Sequence, residues 1–417
     1  VKGLTKNLHE IYLEFSHFLK KVYPDFVTSS PNKLNGIPVF TFHTIRPWVF
    51  KEQLEFLKEN NYVTVGIDEF YNYLIGKSPL PEKAILLTID DGRKSVWTYG
   101  FPLLKEFGFR ATVFIIPGHT KDKVEDSNPP SPPFNSPLSK GGYRGVEGGM
   151  GGFEDIEGES GDKEILSWQE ILVMRDSGLI DFGSHTLYHN RIFTGHKIVD
   201  FFGSDYDIRP YDYPAVPHGL EVSIIEDTSK FFGMPIYSND SIMAGKPRFI
   251  DDPELREECM RYYRESFGNP PIPPLVKGGE GGLWKKEMFR FSKEYRKKNS
   301  VSEKFTTLED IAKEIYDNLY ESKRIIEERL GKPINHLCYS FGIWSNLSIE
   351  MAKKSGFATS FCAYIPGRST NMPGDDTYKI VRLKDDYIFR LPGKGRKSLS
   401  EIFLFKMKRR LKGERVY

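Results

Sequence analysis

Hydrophobic and polar positions along the chain repeat with two periods. Residues 4–22 place Leu8, Ile11, Tyr12, Phe15, Phe18 and Leu19 at helical spacing, which predicts an amphipathic helix packed on the body. After a Ser-Ser-Pro-Asn break, residues 37–43 read Ile-Pro-Val-Phe-Thr-Phe-His, a core strand that ends in a histidine. A helix over 50–59, a short strand over 62–65 and a helix over 68–74 come next. Residues 84–89 then form an unbroken run, Ala-Ile-Leu-Leu-Thr-Ile, which predicts a fully buried strand. A helix over 95–107 and a strand over 111–116 follow. Strand and helix alternating at this pace predict a parallel, barrel-like α/β fold.

The rhythm breaks at Gly118. To about Lys163 the chain is glycine, proline, serine and charge without periodicity. Asn128-Pro129-Pro130-Ser131-Pro132-Pro133 recurs closely as Asn269-Pro270-Pro271-Ile272-Pro273-Pro274, which points to an inserted repetitive element. Such composition buries too little apolar surface to offset its ordering entropy, so a disordered insertion over 120–163 is expected. Order resumes at Ser167, where Glu170 completes a capping box for a helix over 168–176, and Gly178 ends it. A second insertion, 190–305, is rich in aromatic residues as far as 268 and is expected to be partly folded. It reads equally as a lid or substrate wall and as a structural elaboration. Thr307 and Asp310 open a long amphipathic helix that closes at Gly331. A strand over 334–339, a Ser-Phe-Gly turn, a helix over 348–354 and strands over 357–362 and 378–383 complete the body. The expected division is a helical extension over 1–35, a main body over 36–390 interrupted by the two insertions, and a basic tail over 391–417.

Composition excludes more than it selects. The 417 residues are 39% hydrophobic and 28% charged, as in ordinary globular chains. A formal charge of +2 gives no reason to expect a nucleic-acid partner. Three scattered cysteines, Cys259, Cys338 and Cys362, make no disulfide framework and fit a reducing compartment. No apolar run reaches the length of a membrane span, and residues 1–21 do not read as a signal peptide, so the sequence leans cytoplasmic. Residues 394–417 carry nine lysines and arginines against two acids, around Ile402, Phe403, Leu404, Phe405 and Leu411. This reads either as a solvated basic tail or as a basic amphipathic helix on an anionic membrane surface.

The chemistry concentrates at two strand ends. Asp90-Asp91-Gly92 closes the 84–89 run, and buried carboxylates demand a counter-charge or a metal. Alone, it reads more readily as a strand followed by an acidic turn. Further on, His185 and His189 follow the apolar run at 180–184 with a spacing that, in a helical turn, puts both imidazoles on one face. Zinc accepts imidazole nitrogen and carboxylate oxygen, and a catalytic zinc keeps one position open for water.

Together these residues resemble the polysaccharide deacetylase (NodB-homology) family of carbohydrate esterases. Thr88-Ile89-Asp90-Asp91-Gly92 is similar to its Thr-Phe-Asp-Asp-Gly motif, and His185-Thr186-Leu187-Tyr188-His189 to its His-Ser/Thr-x-x-His motif. Pro102-Leu103-Leu104, Ala111-Thr112-Val113-Phe114 and Ser167-Trp168 agree in the flanks. The resemblance implies a distorted seven-stranded (β/α) barrel with two insertions. It makes Asp91, His185 and His189 the ligands of a divalent metal, zinc, and Asp90 the general base. The family's usual acid, a histidine near the end of the domain, is missing, since no histidine follows His336. Phe42-His43 stands where a permuted branch, similar to the poly-N-acetylglucosamine deacetylases, carries its acid; His43 is assigned that role, with a structural histidine as the alternative. Tyr339-Ser340-Phe341-Gly342 resembles that branch's Tyr-Pro-Phe-Gly turn and is expected to offer backbone amides to an oxyanion. Arg209-Pro210-Tyr211, superficially like another family motif, lies inside the insertion and is set aside. Arg382, on the last strand, is the candidate to orient Asp90.

The implied function is metal-dependent hydrolysis of an N-acetyl group on an amino sugar in a glycan or a lipid-linked precursor. Peripheral membrane contact would run through the basic tail. Hydrolysis of another carbon–nitrogen bond, in a formamide or cyclic amide, is the enzymatic alternative. A glycan-binding relic is the non-catalytic one, and the intact Asp90, Asp91, His185 and His189 argue against it.

Overall fold

Eight strands make one parallel sheet, and every strand that carries candidate chemistry belongs to it. The structure is a computed structural model that describes residues 23–411 apart from 30, 32–33, 123–161, 163, 204–228, 269–282, 364, 366–367 and 369. The helix expected over 4–22, both proline-rich copies and Arg209-Pro210-Tyr211 lie outside the described residues. The chain divides into two units, one of Val1–His185, Ser322–Gly342 and Phe357–Tyr417, the other of Thr186–Glu321 and Ile343–Gly356.

In chain order, β1 (Val39–Phe42), α1 (Pro47–Glu59), β2 (Val63–Thr64), α2 (Ile67–Leu74) and β3 (Ala84–Ile89) open the first unit. Next come α3 (Phe101–Phe107), β4 (Ala111–Ile115), α4 (Trp168–Asp176) and β5 (Ile180–Ser184). The middle of the chain supplies β6 (Arg191–Phe201), β7 (Pro235–Ser241), β8 (Phe249–Ile250), α5 (Pro253–Phe267), α6 (Leu283–Lys298) and β9 (Lys304–Phe305). The chain continues through α7 (Leu308–Leu330), β10 (His336–Cys338), α8 (Asn346–Lys354), β11 (Thr359–Phe361), β12 (Leu383–Lys384) and α9 (Leu399–Leu411).

The sheet of the first unit runs β11-β10-β5-β4-β3-β1-β12, with β2 beside β3. Every residue of β3 and β4 is buried, as strands covered on both faces require. Side chains from the sheet and from α2, among them Val39, Phe70, Leu86, Phe114 and Phe361, share one core cluster. The two ends of the sheet are stitched by residues 380–384. Ile380 bridges Phe361 of β11, and Leu383 pairs with Phe40 of β1. The arrangement is a distorted (β/α) barrel. This stitching corrects the strand expected over 378–383: the segment changes partner from β11 to β1 within a few residues, so only Leu383–Lys384 forms a ladder.

Local chemistry explains two of these elements. Ser167 Oγ accepts from the Glu170 N–H while Glu170 Oε2 accepts from the Ser167 N–H, the reciprocal box expected at the start of α4. The helix expected over 95–107 is divided. Val96–Gly100 forms a π-helical turn before α3, because Pro102 has no N–H for the regular ladder.

The second unit has its own core. β6 and β7 form an irregular antiparallel hairpin, β8 and β9 a short pair, and α5 and α6 pack with them. Phe201, Phe202, Phe231, Phe232 and Tyr237 are all buried in this cluster with Leu255, Met260 and Tyr263. These rings are covered by packing; Tyr206, Tyr211 and Tyr213 of the same insertion lie outside the described residues.

Candidate metal centre

β3 delivers the two aspartates. The Asp90 N–H still donates to the Phe42 carbonyl at 2.9 Å, extending the ladder by one residue. Asp91 then takes φ 71° and Gly92 φ 63°, so the turn begins at the aspartate and not at the glycine. Asp90 is 2% exposed and meets Arg382 Nη1 at 2.6 Å, with His43 Nε2 at 3.8 Å. Burial alone would raise its pKa. The Arg382 guanidinium, with His185 and His43, outweighs that and holds it at about 2.

β5 delivers the histidines. The His185 N–H donates to the Ile115 carbonyl at 2.8 Å, just past the last strand residue, Ser184. The helical turn expected for His185 and His189 is not formed. Thr186 and His189 take φ 68° and 54°, and the His189 N–H donates to Thr186 Oγ1 at 3.2 Å. Two left-handed residues fold the loop back tightly enough to bring the imidazoles together without a helix. Five non-glycine residues among those described have positive φ, and Asp91, Thr186, His189 and Phe341 of the candidate motifs are four of them. A β-branched threonine there is strained, and such strain concentrates at functional sites.

Asp91, His185 and His189 are all buried and offer ligand atoms within 4.8 Å of one another. The His185 ring is fixed by its far side. Nδ1 faces the Cys338 carbonyl at 2.9 Å, and a carbonyl only accepts, so Nδ1 carries the proton. Nε2 then faces Asp91 Oδ1 at 3.4 Å. Burial opposes charge on His185, yet the Cys338 sulfur and the Asp90 and Asp91 carboxylates raise its pKa well above the ordinary value. The surroundings thus favour positive charge where the three side chains converge. Two imidazoles and one carboxylate, with a backbone acceptor behind one ring, fit a divalent cation.

The remaining candidates sit nearby. Tyr339 and the 3₁₀ turn Ser340–Gly342 follow β10, and Ser340 Oγ donates to the His185 carbonyl at 3.2 Å. The Tyr339 N–H is committed to the Phe361 carbonyl at 3.2 Å, so its amide is withdrawn from the expected oxyanion role. Phe341 holds φ 60° within the turn. Two residues at the site were not marked in the sequence. Arg93, wholly buried, donates to Asp91 Oδ2 from Nε at 2.9 Å and from Nη2 at 2.6 Å. Cys338 lies with its sulfur 3.6 Å from Asp90 Oδ1, forming a second cluster with Asp90 and His185. Proximity of Arg93 to the Asp-Asp-Gly run was its only sequence signal; Cys338 had none.

A polysaccharide deacetylase family profile matches residues 77–200, from the end of α2 through β3, β4 and β5 into β6. A poly-β-1,6-N-acetyl-D-glucosamine N-deacetylase of Escherichia coli K12 is 41% identical over 70 residues, 17% of this chain and 10% of that protein. The protein of the same name from Staphylococcus epidermidis is 23% identical over 206 residues, 49% of this chain and 57% of the relative. The chain therefore spans a tenth of the first relative and little more than half of the second. Among solved structures, IcaB from Ammonifex degensii covers 86% of this chain and 96% of its own at 17% identity, with a TM-score of 0.43. The BpsB deacetylase domain from Bordetella bronchiseptica covers 85% and 97% at 14% identity, with a TM-score of 0.48. Residues 77–200, which carry both motifs at the ends of β3 and β5, the parallel strands on either side of β4, are similar to the polysaccharide deacetylase family.

Proposed function

We propose that the chain is a metal-dependent deacetylase that hydrolyses the N-acetyl group of an amino sugar in a glycan or glycolipid precursor. The observation that carries this reading is the buried convergence of Asp91, His185 and His189 beside the Asp90–Arg382 pair. Zinc is the metal of choice for two imidazoles and one carboxylate. When bound, the ion supplies a Lewis acid that acidifies water and polarises the amide carbonyl.

The protein's own groups then divide the proton work. Asp90, kept ionised by Arg382, accepts a proton from the attacking water. His43 is a quarter exposed and close enough to Asp90 to share its site, and it protonates the departing amine. Water adds to the carbonyl carbon, the carbon–nitrogen bond breaks, and acetate and a free amino sugar leave. Arg382 orients Asp90, and the Ser340–Phe341 turn is assigned the support of a developing oxyanion.

Contact with an anionic membrane is part of the proposal. On α9, Lys406 and Arg409 point inward with Ile402, 3.3 Å and 3.7 Å from Asp386, while Leu404, Phe405 and Met407 are exposed. Exposed Lys408 adds positive charge beside that apolar face. Among the described residues no helix is long and apolar enough to cross a membrane.

The test is metal analysis of the purified chain combined with acetate release from N-acetylglucosamine oligomers. One equivalent of zinc and metal-dependent acetate release support the reading. Failure to bind added metal overturns it.

A further inference from the structure

Arg93 has no part in the proton transfers above, yet it is the largest wholly buried side chain described. Its guanidinium approaches Asp91 side-on. Nε and Nη2 both donate to the same oxygen, Oδ2, at 2.9 and 2.6 Å. The third corner, Nη1, donates to Thr44 Oγ1 at 2.5 Å. Asp162 accepts from the Ser95 N–H at 3.2 Å and feels the charge of Arg93. The backbone is pinned as well, for Arg93 bridges Ile165, and Gly92 and Lys94 pair with Leu166 and Glu164. Asp91 and Thr44 hold the guanidinium while the backbone pairing fixes its base, so the arginine is braced against the carboxylate.

We propose that Arg93 is a positioning residue that restricts Asp91 to ligation through one oxygen and holds down the affinity of the site. This rests on the reading of Asp91, His185 and His189 as a metal centre. A carboxylate with both oxygens available can chelate an ion through both. Two donors on Oδ2 leave Oδ1, the oxygen already facing His185 Nε2, to meet the metal. Ligation by one oxygen keeps the coordination number low and a position open for water. The buried cation also repels a dication one carboxylate away. At an effective dielectric constant of about 20 that repulsion is worth well over tenfold in affinity. It draws electron density from the carboxylate as well, leaving a bound ion the stronger Lewis acid.

The experiment uses the full chain and the variants Arg93→Gln and Arg93→Lys. Zinc affinity is measured by competition with a chromogenic chelator, and coordination by the visible spectrum of the cobalt-substituted protein. Arg93→Gln is expected to bind zinc at least tenfold more tightly, with cobalt absorption weakened as a second carboxylate oxygen joins the ion. Arg93→Lys keeps the charge but not the planar fork, so its affinity should stay within about threefold while its cobalt spectrum still changes. Weaker zinc binding in Arg93→Gln, or unaltered cobalt spectra in both variants, would show that Arg93 merely braces the fold. If Arg93→Gln does not fold, the Arg93→Lys spectrum decides. A wild-type chain that binds neither metal removes the metal reading itself, which is a separate result.

Discussion

His43 Nε2 lies 3.8 Å from Asp90 Oδ2, setting an imidazole that is a quarter exposed beside a carboxylate that is 2% exposed. The inner group is tied to Arg382 and the outer one reaches solvent, which suits a base that meets water and an acid that meets a leaving group. Asp90→Asn and His43→Ala should each lower kcat by about 10²–10⁴-fold with metal content unchanged. Substrates with weakly basic leaving amines should rescue His43→Ala and not Asp90→Asn. Equal losses on every substrate, or metal lost from the histidine variant, would take His43 out of the acid role.

Replacing Arg382 tests how the base is kept ionised. Its guanidinium, 2.6 Å from Asp90, is the leading influence that lowers the carboxylate against burial. A base works only when deprotonated, so activity falls as pH drops through its pKa. In Arg382→Met the acid limb of the kcat/KM profile should move up by about one pH unit or more. An acid limb that stays in place while activity falls would mean that Arg382 contributes something other than charge.

Gly183 sits in β5, two residues before His185, and has no room for a side chain. A Cβ there would come 2.7 Å from the Phe114 ring and 2.8 Å from the His336 carbonyl oxygen, and a backbone atom cannot step aside. Gly183→Ala should destabilise the fold by about 1–3 kcal/mol in denaturant unfolding. It should also weaken zinc binding, since His185 is carried by the displaced strand. Wild-type stability would show that β4 and β10 move apart easily.

All three cysteines are buried and free. Burial pushes the Cys259 and Cys362 thiols up to about 12, and Cys338 is raised too. A thiol reagent at neutral pH should therefore label none of them in the native protein and all three after denaturation. Rapid native labelling of Cys338 would reveal solvent access beside Asp90.

The exposed face of α9 makes a membrane prediction. Leu404→Ser with Phe405→Ser should reduce binding to anionic phosphatidylglycerol vesicles by about tenfold or more, given the apolar area removed. The fold should survive, because Ile402, Lys406 and Arg409 make the inward contacts. Undiminished vesicle binding would leave that face without a lipid role.

What the sequence reveals depends on how local the chemistry is. The capping box of Ser167 and Glu170, the buried run of β3 and the Asp-Asp-Gly stop are written in neighbouring residues, so pattern and propensity suffice. The loop of His185 and His189 shows the limit. A spacing of four fits a helical turn, but two left-handed residues achieve the same approach, and nothing in Thr186 announces that it takes φ 68°. Among the described residues, the aromatics of 190–268 hid a core, because composition alone does not say which face of a ring is covered. Arg93 and Cys338 were silent for another reason: an arginine after an acidic turn is usually solvated, and a lone cysteine in a strand reads as packing.

The pair formed by Asp90 and Arg382 joins positions 292 residues apart, and the stitch across residues 380–384 unites the first strand with the penultimate one. During synthesis, the first half of the barrel emerges with a carboxylate it cannot bury, because its cation has yet to be made. Such long-range closure slows folding and leaves the early strands dependent on late ones. A nascent chain halted before residue 382 should thus pair β1 with β3 but leave the other edge of β1 uncovered, an intermediate for chaperones rather than a half-built enzyme. The last strand brings the barrel's closing pairings and the main countercharge of Asp90 in one segment.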